Sequence, residues 1–314
     1  MNRFKNLNWE KIGWVAAIEV AIIVVVLTFF LPGGFDLYVY YRQFAQGCMD
    51  CAFVPYYPQW LLWPLTLLPI QWVWPVVVGL TVFVVLVVCR LAKVNPVLVF
   101  LSFPFFAQLW LGQVDFIEIG GLALALLSAN PYLRGVGIIL ALTKPQVTIL
   151  AVLFLLIKED IKDLPKLLAV PVVVIVVSLF VYGGTWPLEW LSNAGESIPL
   201  HRYRLASSMI WPLGLALIWV PVLFKDRRER FEAALLVTSI ATPFYGVYAY
   251  PVFLVFRSSW WTLLLSYAWV VFFPWFGAEA LKFAWVLPVG MLGHLAYEGW
   301  RKRKQGRDGI EIEL

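Results

Sequence analysis

The stretch "WVAAIEVAIIVVVLTFFLPGGFDLYVYY", Trp14–Tyr41, decides the fold, because an apolar run is followed by a sharp break and a single acid. Its first part, Trp14–Leu31, is about long enough to cross the ~30 Å hydrocarbon core of a bilayer as a helix. It lacks the small-residue cleavage site of a removable signal peptide, so we expect a retained first helix. Asp36 follows the turn residues Pro32–Gly34, at the point where the chain leaves the membrane.

The composition of the chain is that of a membrane protein. It has 314 residues, of which 62% are hydrophobic and 14% are charged, and its mean hydropathy is +0.82. Water-soluble domains are far more polar than this. We therefore predict an all-α, polytopic transmembrane protein that is surrounded by membrane lipids.

The net charge of +5 is concentrated in short basic segments, Arg3–Lys11, Lys225–Arg230 and Arg301–Arg307. Basic segments that border apolar runs orient a membrane protein with those segments in the cytoplasm. They are not typical of a nucleic-acid surface, so no nucleic-acid partner is expected.

The same rule, applied loop by loop, predicts about ten to twelve membrane segments with both termini in the cytoplasm. We expect a single transmembrane domain over residues 1–300 and a cytoplasmic basic tail over residues 301–314. The two long outer loops are expected at about residues 32–58 and 183–208. This topology places Asp36 on the extracytoplasmic face of the cell membrane.

Two apolar segments are expected to depart from simple spanning helices. The motif "TKPQ", Thr143–Gln146, interrupts the run Gly135–Ile157, and Pro145 removes a helical hydrogen bond. A kink or a pair of half-helices should result. The segment Tyr56–Ile70 is rich in proline and too short for an independent span, so we expect an interfacial or partly re-entrant helix there.

The chain has three cysteines, Cys48, Cys51 and Cys89. The first two form a C-x-x-C pair with no second pair or histidine nearby, which disfavours a zinc site. A local disulfide in an oxidising compartment and two unpaired thiols both remain open.

The polar residues of the outer face come from three separate segments, and in so apolar a chain such residues are the informative ones. They are Asp36, Arg42, Asp50, Gln113, Asp115, Glu189, Glu196, His201, Arg202 and Arg204. Acids and cations that converge on one face suggest a site for an anionic lipid headgroup beside an acid or base. The alternative is a set of hydrated loops without chemistry.

Two further features favour a site. Tyr38, Tyr40 and Tyr41, soon after Asp36, can wall a sugar pocket. Lys144 lies within an apolar segment, where its ammonium must reach water, an acid or a phosphate. A structural ion pair with Asp115 or Glu118 is the competing interpretation of Lys144.

Five short motifs occur in the same order as in a known family. They are "DLYVYY" after the first helix, "YYPQWLLWPLTLLP", "GQVD", "GVGIILALTKPQ" and "ATPFYGVYAYPVF". In this order they resemble glycosyltransferase family 87, a group of GT-C membrane enzymes that includes polyprenol-phosphate-mannose-dependent mannosyltransferases. The resemblance implies an inverting transfer of a sugar from a polyprenyl-phosphate donor to a lipid or glycan acceptor on the extracytoplasmic side.

The resemblance also implies roles for individual residues. Asp36 matches the catalytic acid of the first outer loop and would be the general base on the acceptor hydroxyl. Four cations would hold the donor phosphate, namely Lys144, His201, Arg202 and Arg204. Five residues would shape the pocket, namely Tyr40, Tyr41, Tyr57, Gln113 and Asp115. Because the leaving group is a single phosphate, no cofactor is expected and a divalent metal is not indicated.

A lipid or small-solute transporter or flippase is the alternative function. In that case Lys144, Glu118 and Glu19 would line a passage and Asp36 would be dispensable. A non-catalytic scaffold would tolerate the loss of all four. The order of the motifs favours the transferase. Mannose is the first candidate sugar, and glucose, galactose and arabinose remain open.

Overall fold

The computed structural model describes residues 9–157, 159–201, 210, 212–243 and 245–308. Within these ranges the chain forms helices and no strand, which confirms the predicted all-α class. The α-helices are α1 (Trp9–Leu27), α2 (Arg42–Ala45), α3 (Gln59–Leu62), α4 (Ile70–Ala92), α5 (Pro96–Phe100), α6 (Phe103–Leu111), α7 (Phe116–Leu127), α8 (Pro131–Ala141), α9 (Pro145–Ile157), α10 (Leu164–Tyr182), α11 (Trp186–His201), α12 (Arg227–Ala241), α13 (Pro251–Leu254), α14 (Trp260–Leu265), α15 (Phe273–Phe276) and α16 (Val286–Asp308).

Three helical segments of the described chain are long and apolar enough to cross a membrane. They are α4, α10 and the 43-residue stretch Trp260–Lys302, which 3₁₀ turns divide into α14, α15 and most of α16. Shorter apolar helices include α7, α8 and α9. At 11 to 13 residues each, these helices rise only about 16–20 Å and reach partway across a bilayer.

The half-helices end where the sequence carries a proline or a cap. The predicted break at "TKPQ" is present, because α8 ends at Ala141 and α9 begins at Pro145. The segment Tyr56–Ile70 contains α3 and a 3₁₀ turn and no span. The second outer segment, expected as a loop, is helical over Trp186–His201.

The core contains the buried helix α12 and a close contact between α7 and α8. Every residue of Phe231–Ala241 in α12 is buried. Gly121 of α7 and Gly137 of α8 lie so close that a Cβ on Gly121 would stand 2.7 Å from the carbonyl oxygen of Gly137. Small residues let membrane helices approach at backbone distance.

The ends of α4 mark two opposite faces of the molecule. At one end, Tyr38 Oη donates to the carbonyl of Ile70 at 3.1 Å. At the other end, Arg228 Nη2 donates to the carbonyl of Ala92 at 2.9 Å. A helix of 23 residues is about 34 Å long, so Tyr38 and Arg228 lie a membrane thickness apart.

Ion pairs hold four parts of the chain together at the end of α4 where Arg228 lies. Glu159 accepts from Arg134 at 2.6 Å and from Arg227 at 2.8 Å. Lys302 pairs with Glu229 at 2.6 Å. Arg227, Glu229 and Lys302 belong to two segments that the charge pattern assigns to the cytoplasm, and these two segments are in contact.

Candidate functional site

A glycine contact places the loop that carries Asp36. Gly34 has a φ of +76° and Gly112 a φ of +72°, backbone conformations that favour glycine. The Gly34 amide donates to the carbonyl of Trp110 at 2.8 Å, and a Cβ on Gly112 would lie 2.8 Å from the Gly34 Cα. Because the two backbones are in contact here, Asp36 lies directly beside Gln113, the residue after Gly112.

Asp36 begins a π-helical turn, Leu37–Tyr41. Single π turns are rare and often occur at functional sites, because the extra residue re-aims the side chains around it. The turn places Tyr40 on the cavity described below and buries Tyr41. The hydroxyl of Tyr41 donates to Gln113 Oε1 at 2.7 Å.

Gln113 is the centre of a buried polar network. Its Nε2 donates to Asp36 Oδ2, and its Oε1 accepts from Lys144 Nζ at 2.8 Å. Lys144 is also ion-paired with Asp115, and the two side chains are 4% and 0% exposed. The network thus joins the first outer loop, the turn before α7 and the break before α9.

Glu118 lies one turn into α7 and is not the partner of Lys144. Its Oε1 accepts from the Thr143 hydroxyl at 2.5 Å, so the "TKPQ" break is tied to α7. Of the two partners considered for Lys144, the structure selects Asp115.

These residues surround a cavity of about 540 Å³. Its wall is mostly aromatic and aliphatic, with Asp36, Gln113, Lys144 and Gln146 as polar members. A mostly apolar cavity with a few convergent polar groups is the usual form of a small-molecule site. A carboxylate beside aromatic rings is suited to a sugar hydroxyl.

The cavity brings together half of the ten site residues selected from the sequence. Asp36, Tyr40, Tyr41, Gln113 and Lys144 line it. Asp115 lies behind Lys144 and is fully buried.

Tyr57 does not line this cavity. Its hydroxyl donates to the carbonyl of Ile139 at 3.0 Å, and its ring packs edge-on against Trp186. Tyr57 therefore supports the outer loop against α8 and α11, a position that the motif alone could not distinguish from the pocket wall.

Three predicted phosphate ligands fall outside what the structure describes. Arg202 and Arg204 lie in the gap after residue 201, and the side chain of His201 is not described. Their role stays a prediction.

Helix α11, which leads to His201, lies against the first outer loop. Trp186 stacks on Tyr56 with ring centroids 5.5 Å apart, and Asn193 donates to Asp50 at 2.5 Å. Tyr56 also donates to Asp50 at 3.2 Å. Burial, and then the Asp50 carboxylate, raise the pKa of Tyr56 to about 12, so its phenol is protonated at neutral pH.

The C-x-x-C pair is closed. Cys48 and Cys51 are joined by a disulfide, and Cys89 is a free, buried thiol. The bridge braces the short loop that carries Asp50.

Two polar cavity residues were not selected from the sequence. Gln146 donates to the carbonyl of Phe53 at 3.4 Å, and the Tyr248 ring faces Lys144 with its centroid 5.9 Å from Nζ. Both lie inside quoted motifs, "TKPQ" and "ATPFYGVYAYPVF". The signal was therefore present, but the motifs do not show which of their residues face the site.

Comparison with known proteins gives one result. The sequence profile of glycosyltransferase family 87 matches residues 56–209, which confirms the resemblance seen in the motifs. No curated protein and no solved structure matches the chain significantly. The matched range contains Gln113 and Lys144, and Asp36 is held against that range by the Gln113 amide.

Proposed function

We propose that this chain is a membrane glycosyltransferase of family 87, whose profile matches residues 56–209, and that it transfers a hexose from a polyprenyl phosphate to a lipid or glycan hydroxyl outside the cytoplasm. Mannose is the first candidate sugar. The observation that carries this proposal is Asp36 at the wall of an aromatic cavity, joined by a hydrogen bond to the matched part of the chain.

Asp36 acts as the general base in this reaction. It takes the proton of the acceptor hydroxyl as the hydroxyl oxygen attacks the anomeric carbon of the donor sugar. The bond from that carbon to the phosphate oxygen breaks, and the lipid phosphate leaves with the electron pair. Attack opposite the leaving group inverts the anomeric configuration.

The donor phosphate needs cations at the opposite side of the sugar. We assign His201, Arg202 and Arg204 to it, because α11 carries the chain to His201 over the same outer loops. Lys144 is at the cavity wall, but Asp115 already balances its charge, so its attraction for a phosphate is reduced.

The fold supports the sidedness of the proposal. Asp36 lies near the Ile70 end of α4, and Arg228 and Lys302, from two of the basic segments, lie at the Ala92 end. If the basic end faces the cytoplasm, as positive loops do, the cavity faces the other side. A disulfide near the cavity is in keeping with an oxidising compartment.

The alternative transport function needs Lys144, Glu118 and Glu19 along one passage. Lys144 and Glu118 are buried in the core, whereas Glu19 is exposed on α1. Neither Glu118 nor Glu19 lines the cavity that contains Lys144, so no observation favours transport.

The proposal is tested by incubating the purified protein in lipid discs with radiolabelled polyprenyl-phosphate mannose and a membrane-lipid extract. Parallel reactions use the glucose, galactose and arabinose donors. Label in a new lipid or glycan product supports the transferase and identifies the sugar, and a product from the arabinose donor alone would replace the proposed hexose by a pentose. If none of the four donors gives a product, although each donor binds the protein in the discs, the proposed transfer is wrong.

A further inference from the structure

The amide of Gln113 is fixed in one orientation by two donors. Its Oε1 accepts from Tyr41 Oη at 2.7 Å and from Lys144 Nζ at 2.8 Å. A hydroxyl and an ammonium both offer hydrogens here, and the ammonium can offer nothing else. The amide oxygen must therefore face them, and the NH₂ group must face Asp36 Oδ2.

Lys144 is itself held rigidly. Asp115 pairs with it in the buried core, and the Tyr41 ring lies 5.1 Å from Nζ and the Tyr248 ring 5.9 Å. Aromatic faces attract an ammonium and add direction to the ion pair. The lysine is therefore a fixed group whose charge is already balanced, and it is not a mobile ligand for an incoming phosphate.

A flipped amide would put Oε1 of Gln113 against the Asp36 carboxylate, where two acceptors repel. The flip would also leave Tyr41 and Lys144 facing an NH₂ group. Each loss of a buried hydrogen bond is costly, and a bond to a charged group is the most costly. The flipped orientation is thus strongly disfavoured, and the carboxylate receives a donor at Oδ2 continuously.

We propose that Lys144 and Tyr41 are positioning residues that act through Gln113 to fix the plane of the Asp36 carboxylate. This inference rests on the proposed function, in which Asp36 is the base. It replaces the direct phosphate contact of Lys144 by an indirect role. A base must be aligned with the acceptor hydroxyl, and small misalignments lower the rate of the chemical step more than they weaken substrate binding.

The first test is steady-state kinetics of Gln113→Leu and Tyr41→Phe with the donor sugar found active. Gln113→Leu should lower kcat about 10- to 100-fold, the value for one hydrogen bond to a charged group. Tyr41→Phe should lower kcat about 3- to 10-fold, because Lys144 still holds the amide. In both variants KM for the donor should stay within about 2-fold.

The matched control is Tyr250→Phe. Tyr250 is also buried, it lies outside the cavity wall, and its hydroxyl has no hydrogen-bond partner among the described residues. Its kcat should remain near the wild-type value. If Gln113→Leu and Tyr41→Phe are no slower than Tyr250→Phe, the positioning role is excluded.

The role of Lys144 is tested in a charge-balanced background. Lys144→Met alone would leave Asp115 buried without its partner, so it is combined with Asp115→Leu. The double variant should lower kcat with little change in KM, and adding Gln113→Leu should bring the total loss to that of Gln113→Leu alone and no further, because all of these residues act through one amide. A rise in donor KM at unchanged kcat, or a fully additive loss, would overturn the proposal.

Failure of the inference is distinguishable from failure of the proposed function. If Asp36→Asn transfers sugar at the wild-type rate, the base itself is wrongly assigned. If Asp36→Asn is inactive while Gln113→Leu is fully active, only the positioning role is wrong.

Discussion

Lys144, in the break between α8 and α9, is ion-paired with Asp115, the residue that precedes α7, and both side chains are buried. This pair holds the "GQVD" turn against the "TKPQ" break. It therefore fixes where Gln113 lies and, through Gln113, where Asp36 lies. A buried ion pair thus supports the candidate site.

Breaking the pair on one side should destabilise the protein. Asp115→Leu leaves a buried ammonium without its carboxylate, and we expect a loss of roughly 3–5 kcal/mol in the free energy of unfolding. The combined variant Asp115→Leu with Lys144→Met should lose much less, since no charge is left unpaired. Thermal unfolding in detergent measures both. Equal melting temperatures for the single and combined variants would contradict the ion pair.

The contact between α7 and α8 gives a second prediction. A Cβ on Gly121 would lie 2.5 Å from the backbone nitrogen of Ala141. Since that neighbour is backbone and cannot rotate away, Gly121→Ala should force the helices apart at a cost of roughly 1–3 kcal/mol. Thermal unfolding again provides the measurement.

The adjacent residue is the control for that contact. A Cβ on Gly120 would meet Val84 Cγ1 at 3.6 Å, an ordinary contact. Gly120→Ala should be neutral or stabilising by up to about 1 kcal/mol, because alanine is the better helix former. If Gly120→Ala and Gly121→Ala unfold at the same temperature, the helices do not cross as described.

The cysteines give a prediction that needs no substrate. The Cys48–Cys51 disulfide and the buried Cys89 leave no reactive thiol on the native protein. Alkylation of denatured, unreduced protein should add one label, at Cys89, and prior reduction should raise the number to three. Intact-mass spectrometry counts the labels. Three labels without reductant would show that the C-x-x-C pair is open.

Much of the fold follows from local sequence. The apolar runs predict helices, and Pro145 predicts the break before α9, because a proline acts on its own turn. The burial of α12 does not follow in the same way. Apart from Glu232, its residues 231–241 are apolar or small, as those of a lipid-facing helix can be, and only the packing of neighbouring helices places them in the centre.

The residues of the site were predictable from the sequence, but the contacts among them were not. Asp36 and Gln113 were selected as polar residues of the outer face, yet their contact depends on two glycines that bring separate turns together. The partner of Lys144 could be Asp115 or Glu118 in the sequence, since both begin the same helix. Tyr57 was grouped with the pocket because a motif does not show which way a ring faces.

The most direct test of the account compares sugar transfer by wild-type protein, Asp36→Asn and Asp50→Asn in lipid discs. Asp50 is the matched control, because it is an acid of the same outer loop that lies outside the cavity and bonds to Tyr56 and Asn193. We expect Asp50→Asn to transfer sugar, and Asp36→Asn to fold and bind the donor but lose transfer by a factor of ~100 or more. Transfer by Asp36→Asn at the wild-type rate would contradict the assignment of Asp36 as the catalytic base.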